Sequence, residues 1–223
     1  MNVPARPETM FRSLNPATGE QFGSYRLHDG AEVEAALERS FAAWSSIRAA
    51  GIAKRARLLL ALADRLEANL EAFARLMTLE MGKPINEARG EIRKCAATCR
   101  TTAELGPGWL EPLEVKSPAR GSRVRYEGLG PILAIMPWNF PFWQVIRFFA
   151  PAFLAGNTTV VKHAENVPAS AEALEQVFTE AGMPDGVLVN LRVDHPTVGK
   201  LIADSRIRSV TVTGSVRAGR TIA

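Results

Sequence analysis

Apolar residues in the first hundred positions recur every three to four residues. Beyond position 130 they gather into short runs separated by further helical stripes. A strand-bearing arm comes first. Asp29 with Glu32 three residues on predicts a capping box for a helix ending near Gly51, with Val33, Leu37, Phe41 and Trp44 as its buried stripe. Leu58, Leu62, Leu66, Leu70, Phe73 and Met77 mark a second stretch from Lys54 to Met81, breaking near Asn69 and ending at Gly82-Lys83-Pro84. A third stripe, Ile85, Ala88, Ile92, Cys95 and Cys99, follows at once. Such stripes predict packing and carry no chemistry of their own.

From Gly106 to Pro118 the density of Pro and Gly predicts an extended excursion, and Ser122 to Gly128 alternates like a strand. The pattern then becomes regular. Strands are expected at 131–137, 158–162, 187–191 and 207–213, with helices at 141–154, 168–181 and 196–204 between them. This alternation predicts right-handed βαβ units in a parallel sheet, an α/β fold. The chain divides accordingly into residues 1–108, 109–128 and 129–223. Ligands on such sheets bind at the carboxyl ends of strands, where Trp138, Lys162 and Gly214 fall.

Composition narrows the function classes. With 223 residues and 47% hydrophobic content the chain can bury a sizeable core. No apolar run approaches the roughly 20 residues of a membrane span, and the N-terminus lacks a charged-then-apolar signal pattern, so a soluble chain of the cytoplasm is expected, with no membrane partner. The net charge of +4 comes from Arg scattered among acids, which gives nucleic-acid binding little support. That mild excess suits an anionic dinucleotide and an acidic substrate, and plain surface solvation explains it equally well. Two cysteines, Cys95 and Cys99, exclude a disulfide framework and make a metal site unexpected; both fall on an apolar helical face and read as core.

The candidate chemistry sits at strand ends. In Pro137-Trp138-Asn139-Phe140-Pro141 an apolar strand stops and an amphipathic segment begins. A carboxamide there can donate to charge developing on a carbonyl oxygen, or it can simply cap the next helix. Phe140, Gln144 and Arg147 share one face of the helix that Asn139 opens. Lys162 and Glu165 follow a second strand end, where an ammonium and a carboxylate can hold sugar hydroxyls or form an exposed charged turn. Thr213-Gly214-Ser215 closes a strand and opens a helix, a place for phosphate. Gly214 to Thr221 also spells a degenerate nucleoside-triphosphate loop with Arg220 in the lysine position; it follows a late strand rather than an early one, so the dinucleotide reading is preferred.

The stretch Gly130 to Pro141 resembles the aldehyde dehydrogenase superfamily, and further landmarks follow in the expected order: Ala155-Gly156-Asn157, Val160 to Glu165, Ala181 to Val187 and Val212-Thr213-Gly214-Ser215. Asn15 to Glu20, Leu79 to Pro84 and the pair Cys95/Cys99 look most like succinate-semialdehyde dehydrogenases. The resemblance implies a Rossmann-like cofactor-binding sheet, with Met136, Pro137, Trp138, Lys162, Ala164, Glu165, Thr213, Gly214 and Ser215 against the dinucleotide. Asn139 becomes the oxyanion donor. Phe140, Gln144 and Arg147 line the substrate tunnel, Arg147 taking the substrate carboxylate with its planar, permanently charged guanidinium. Glu165 tilts the cofactor toward NAD, with NADP as the alternative. His163, where family members often carry Pro, reads as peripheral. The resemblance further implies an oligomerisation hairpin at 109–128, hence a homo-oligomer, and places the nucleophilic cysteine and the glutamate base C-terminal to the glycine motif. Such a truncated chain is expected to be inactive alone; the competing expectation is a non-catalytic nucleotide-binding or interaction fragment.

Overall fold

The computed structural model describes residues 10–222. The arm forms an antiparallel pair, β1 (Met10–Leu14) and β2 (Gln21–Arg26). Helix α1 (Gly30–Ala49) begins at the expected capping box, since the Asp29 side chain accepts from the Glu32 N–H and the Glu32 carboxylate accepts from the Asp29 N–H. Helices α2 (Ile52–Ala68) and α3 (Leu70–Met81) divide at Asn69 as the sequence predicts. Gly82 ends α3 in the left-handed region, φ 72°, a conformation a side chain would strain.

Helix α4 (Ile85–Trp109) departs from expectation, because it continues through Gly106 and Pro107 where an extended excursion was predicted. Packing overrides propensity here. A Cβ on Gly106 would lie 2.2 Å from Leu154 Cδ2, so the absence of a side chain is what lets α4 lie against α5 (Trp143–Leu154). Beyond it, β3 (Leu113–Val115) and β4 (Ser122–Val124) form an antiparallel hairpin.

The remaining strands, β5 (Pro131–Ile135), β6 (Thr158–Lys162), β7 (Leu188–Asn190) and β8 (Ser209–Val212), form one parallel sheet in the order β7-β6-β5-β8. Their linking helices are α5, α6 (Pro168–Glu180) and α7 (His195–Ala203); α8 (Val216–Ile222) follows β8. Successive strand residues face opposite sides, and this period of two divides the interior into two clusters. Leu133, Val160 and Val189 pack with Ala36 and Leu37 of α1 and Val198 and Leu201 of α7. Ala134, Val161 and Leu188 face the larger cluster built by α2 to α6.

One expected face and one expected helix start are corrected. The stripe of α1 that is fully buried is Ala36, Leu37, Ser40, Ala43 and Ile47, whereas Val33, Phe41 and Trp44 are only half-buried. Small residues let this helix approach β6 closely, and Ser40 Oγ donates to Thr158 Oγ1 at 3.0 Å. Helix α5 starts at Trp143 rather than 141, leaving Met136–Phe142 as a connection between β5 and α5.

Candidate active site

Connections leave β5 toward β6 and then β7 on one side, and the chain returns to place β8 on the other, so the order of strands reverses beside β5. A crevice opens at such a point, beyond the strands' carboxyl ends. Backbone bonds hold three strand ends together there: the Met136 N–H donates to the Lys162 carbonyl at 3.1 Å and the Thr213 N–H to the Ile135 carbonyl at 3.0 Å. Met136 is buried, Pro137 and Thr213 are half-buried, and Trp138, Asn139, Phe140, Gly214 and Ser215 are exposed.

The connection carrying Asn139 is fastened by buried polar side chains from elsewhere in the chain. Lys83 Nζ donates to the Asn139 carbonyl at 3.1 Å and sits 3.5 Å from the Phe140 ring centroid. It also pairs with Glu91, whose other oxygen accepts from the Phe142 and Trp143 N–H groups at 2.9 Å each. Those are free donors of the first turn of α5, whose N-cap is Phe142 with no capping side-chain bond of its own. Asn139 therefore does not cap this helix, and Glu91 on α4 satisfies the donors instead. A carboxylate beside a helix N-terminus also gains from the helix dipole.

His163 is a correction. Expected to be peripheral, it is buried at 4% exposure behind the connection. Its Nδ1 accepts from the Ala164 N–H at 2.9 Å, which leaves the proton on Nε2 to donate to the Pro141 carbonyl at 2.9 Å. Burial pushes its pKa down from 6.5 to about 4, so the ring is neutral at ordinary pH and acts as a brace between β6 and the Asn139 connection.

Lys162 is 5% exposed, and among the described residues its one hydrogen-bonding side-chain partner is Glu165 Oε1 at 3.4 Å. An ammonium has three donors, so a buried one with a single long contact is under-satisfied and fits the hydroxyl oxygens of a sugar. Glu165 is exposed and also lies 3.7 Å from His195 Nε2, while Ala164 is half-buried between these groups. Ser215 Oγ accepts from the Ala218 N–H at 3.2 Å and so caps the short α8.

On α5, Gln144 is half-buried and its Oε1 is buried without a hydrogen-bond partner among the described residues. Arg147, one turn further along the same face, is exposed and enters none of the ion pairs of the described residues. Neither thiol suits attack on a carbonyl. Burial, with the Glu91 charge second, pushes Cys95 well up, and burial pushes Cys99 up to about 12. Among the described residues no three His, Cys, Asp or Glu side chains cluster to hold a metal, and no helix is long and apolar enough to cross a membrane.

The sequence matches the Aldehyde dehydrogenase family over residues 3–223. The chain belongs to this family. It is 46% identical over 218 residues to Sad of Escherichia coli strain K12, a succinate semialdehyde dehydrogenase using NAD(P)+, covering 97% of this chain and 47% of that protein. It is 43% identical over 211 residues to a probable NADP(+) succinate-semialdehyde dehydrogenase of Synechocystis, covering 95% and 46%. The fold superimposes on the crystal structure of succinic semialdehyde dehydrogenase from Streptococcus pyogenes in complex with NADP+ with a TM-score of 0.92 at 32% identity, covering 95% of this chain and 47% of that one. The chain thus spans about half the length of the curated relatives it matches.

Two residues that hold the candidate site together escaped the sequence reading. Lys83 was visible as part of a helix stop and of the stretch Leu79 to Pro84, and Glu91 as one of many scattered charges. A signal existed for Glu91. It lies three residues after Ala88 and four before Cys95, on the stripe predicted to be buried, where a lone charge requires a partner.

Proposed function

We propose that this chain is the cofactor-binding portion of an NAD(P)-dependent aldehyde dehydrogenase that oxidises succinate semialdehyde to its acid. The observation that carries the reading is the exposed Asn139 on a braced connection beside the under-satisfied Lys162, at the point where the strand order reverses. Lys162 and Glu165 hold the hydroxyls of a ribose, Met136, Pro137, Trp138 and Ala164 form the wall against it, and Thr213, Gly214 and Ser215 receive the phosphates. When bound, the dinucleotide supplies the acceptor for hydride. Asn139 donates to the aldehyde oxygen as a thiolate adds to the carbonyl carbon and the oxygen becomes negative. Phe140 and Gln144 line the approach, and Arg147 binds the distal carboxylate as a charge-assisted pair.

The adding thiolate comes from neither Cys95 nor Cys99, both of which are held protonated by burial. The 223 residues by themselves are therefore expected to form no reduced dinucleotide from succinate semialdehyde, whereas the same residues joined to a catalytic half turn over. Spectrophotometric assay of both proteins checks this. Turnover by the 223 residues, lost in Cys95→Ala or Cys99→Ala, contradicts it.

Glu165 supports a preference for NAD, because its carboxylate beside the 2′-oxygen repels a 2′-phosphate; the curated relatives above use NADP or either cofactor. Replacing Glu165 by Ser is expected to raise kcat/KM for NADP relative to NAD. An unchanged ratio of the two would show that the glutamate does not face the ribose. Residues 109–128 contribute to subunit contacts in a homo-oligomer: Leu113, Val115 and Val124 of the hairpin are 55%, 47% and 45% exposed, an apolar face suited to burial against a second copy.

A further inference from the structure

Charged side chains are almost never fully buried unless they are paired. Lys83 and Glu91 are 4% and 0% exposed at the side chain, they pair with each other, and among the described residues every other hydrogen bond of their side chains is to the backbone of residues 139–143. The ammonium grips the Asn139 carbonyl; the carboxylate grips the next helix by two N–H groups. Replacing such a pair by apolar residues of similar volume is commonly neutral or stabilising, so stability alone is a poor reason for its presence. Its contacts converge on one short segment, and that segment carries the exposed carboxamide of Asn139.

We propose that Lys83 and Glu91 are positioning residues that fix the place of Asn139, one from each end of the connection. The proposal rests on Asn139 being the oxyanion donor. Lys83 supplies the direct hold, since its bond to the Asn139 carbonyl fixes the backbone from which the carboxamide projects. Glu91 holds the start of α5 and orients the ammonium. Neither reaches substrate or cofactor in this arrangement.

Hydrogen exchange followed by mass spectrometry on the intact protein tests the hold without requiring turnover. In Lys83→Met, amides of residues 138–143 are expected to exchange about tenfold faster or more while those of β5 and β6 keep their protection, with Lys83→Arg restoring the slow rate. Unchanged exchange in 138–143, or an equal rise in β5 and β6, overturns the proposal. Because Lys83→Met leaves a buried unpaired carboxylate, the doubly neutral Lys83→Met/Glu91→Gln protein serves if the single variant does not fold, with the same expectation for residues 138–141. Kinetics supply the second arm. Either variant is expected to lose about 10-fold to 100-fold in kcat with dinucleotide affinity unchanged, the scale of a misplacement near 1 Å. That loss should vanish when Asn139 is already Ala, because Lys83 acts through it. Multiplying losses overturn the proposal. A wild-type kcat in Asn139→Ala alone removes the oxyanion reading instead, and the exchange result then decides by itself whether the pair holds the connection.

Discussion

Asn139→Ala is expected to lower kcat by on the order of 100-fold to 1,000-fold, the cost of removing one oxyanion donor, while dinucleotide affinity stays nearly intact. The split follows from what the side chain does. In the proposed role its carboxamide would meet an oxygen that becomes negative only as the thiolate adds, so the bond would strengthen in the transition state and contribute little to the ground state. Folding should be spared as well. Asn139 is exposed, it does not cap α5, and its backbone contact to Lys83 survives the substitution. A variant that melts at a much lower temperature with kcat per folded molecule unchanged would make Asn139 a structural residue.

Glu80→Ala is expected to produce a large loss of stability. Glu80 is 4% exposed and accepts four bonds: from Ser13 Oγ at 2.5 Å, the Ala169 and Ser170 N–H groups at 2.7 and 2.8 Å, and Ser170 Oγ at 2.6 Å. One carboxylate thus joins β1, α3 and the first turn of α6. Its removal strands donors on residues that are 1% exposed or less at Ser13 and Ser170. An unsatisfied buried donor costs about 1–3 kcal/mol, so the sum should reach roughly 3 kcal/mol or more and lower the melting temperature by about 10 °C. Glu80→Gln keeps two acceptor lone pairs and should lose less. Thermal and denaturant melts of both variants decide the matter, and a loss under about 1 kcal/mol in Glu80→Ala would show that water reaches the stranded donors.

The parallel sheet was legible because β5, β6 and β7 are almost wholly buried on both faces and bounded by Gly, Pro and helical stripes. β6 was predicted at 158–162 and spans Thr158–Lys162, while β5 and β8 are shorter than their apolar runs by one or two residues at an end. At the carboxyl ends, Met136, Pro137 and Thr213 lie outside the strands, in the connections that carry the candidate site. Misjudged elements share a different physics. The buried face of α1 includes Ala36, Ser40 and Ala43 beside Leu37 and Ile47; the small residues contribute close approach rather than apolar bulk, and a reading by large side chains points to Phe41 and Trp44 instead. The end of α4 is helical despite Gly106 and Pro107 because a tertiary contact with Leu154 outweighs their weak local preference.

Candidate site residues at the strand ends were legible from position and residue type. What holds them in place was not. Glu80, Lys83, Glu91 and His163 are ionisable groups, and only the fold reveals partners that lie far away along the chain. His163 shows the point most clearly. Adjacent to Lys162 in sequence, it faces the opposite way and ties a carbonyl of the β5–α5 connection to the end of β6, which makes it part of the scaffold of the site.

The central claim is that this site accepts an aldehyde bearing a carboxylate, and Arg147 tests it most directly. In the intact enzyme, kcat/KM should be compared between succinate semialdehyde and an uncharged aldehyde of similar length, for the wild type and for Arg147→Ala. Loss of a charge-assisted bond should penalise succinate semialdehyde by about 1.5–3 kcal/mol, roughly 10-fold to 150-fold, and leave the uncharged aldehyde nearly unaffected. Equal losses for both aldehydes, or none for either, would contradict the account.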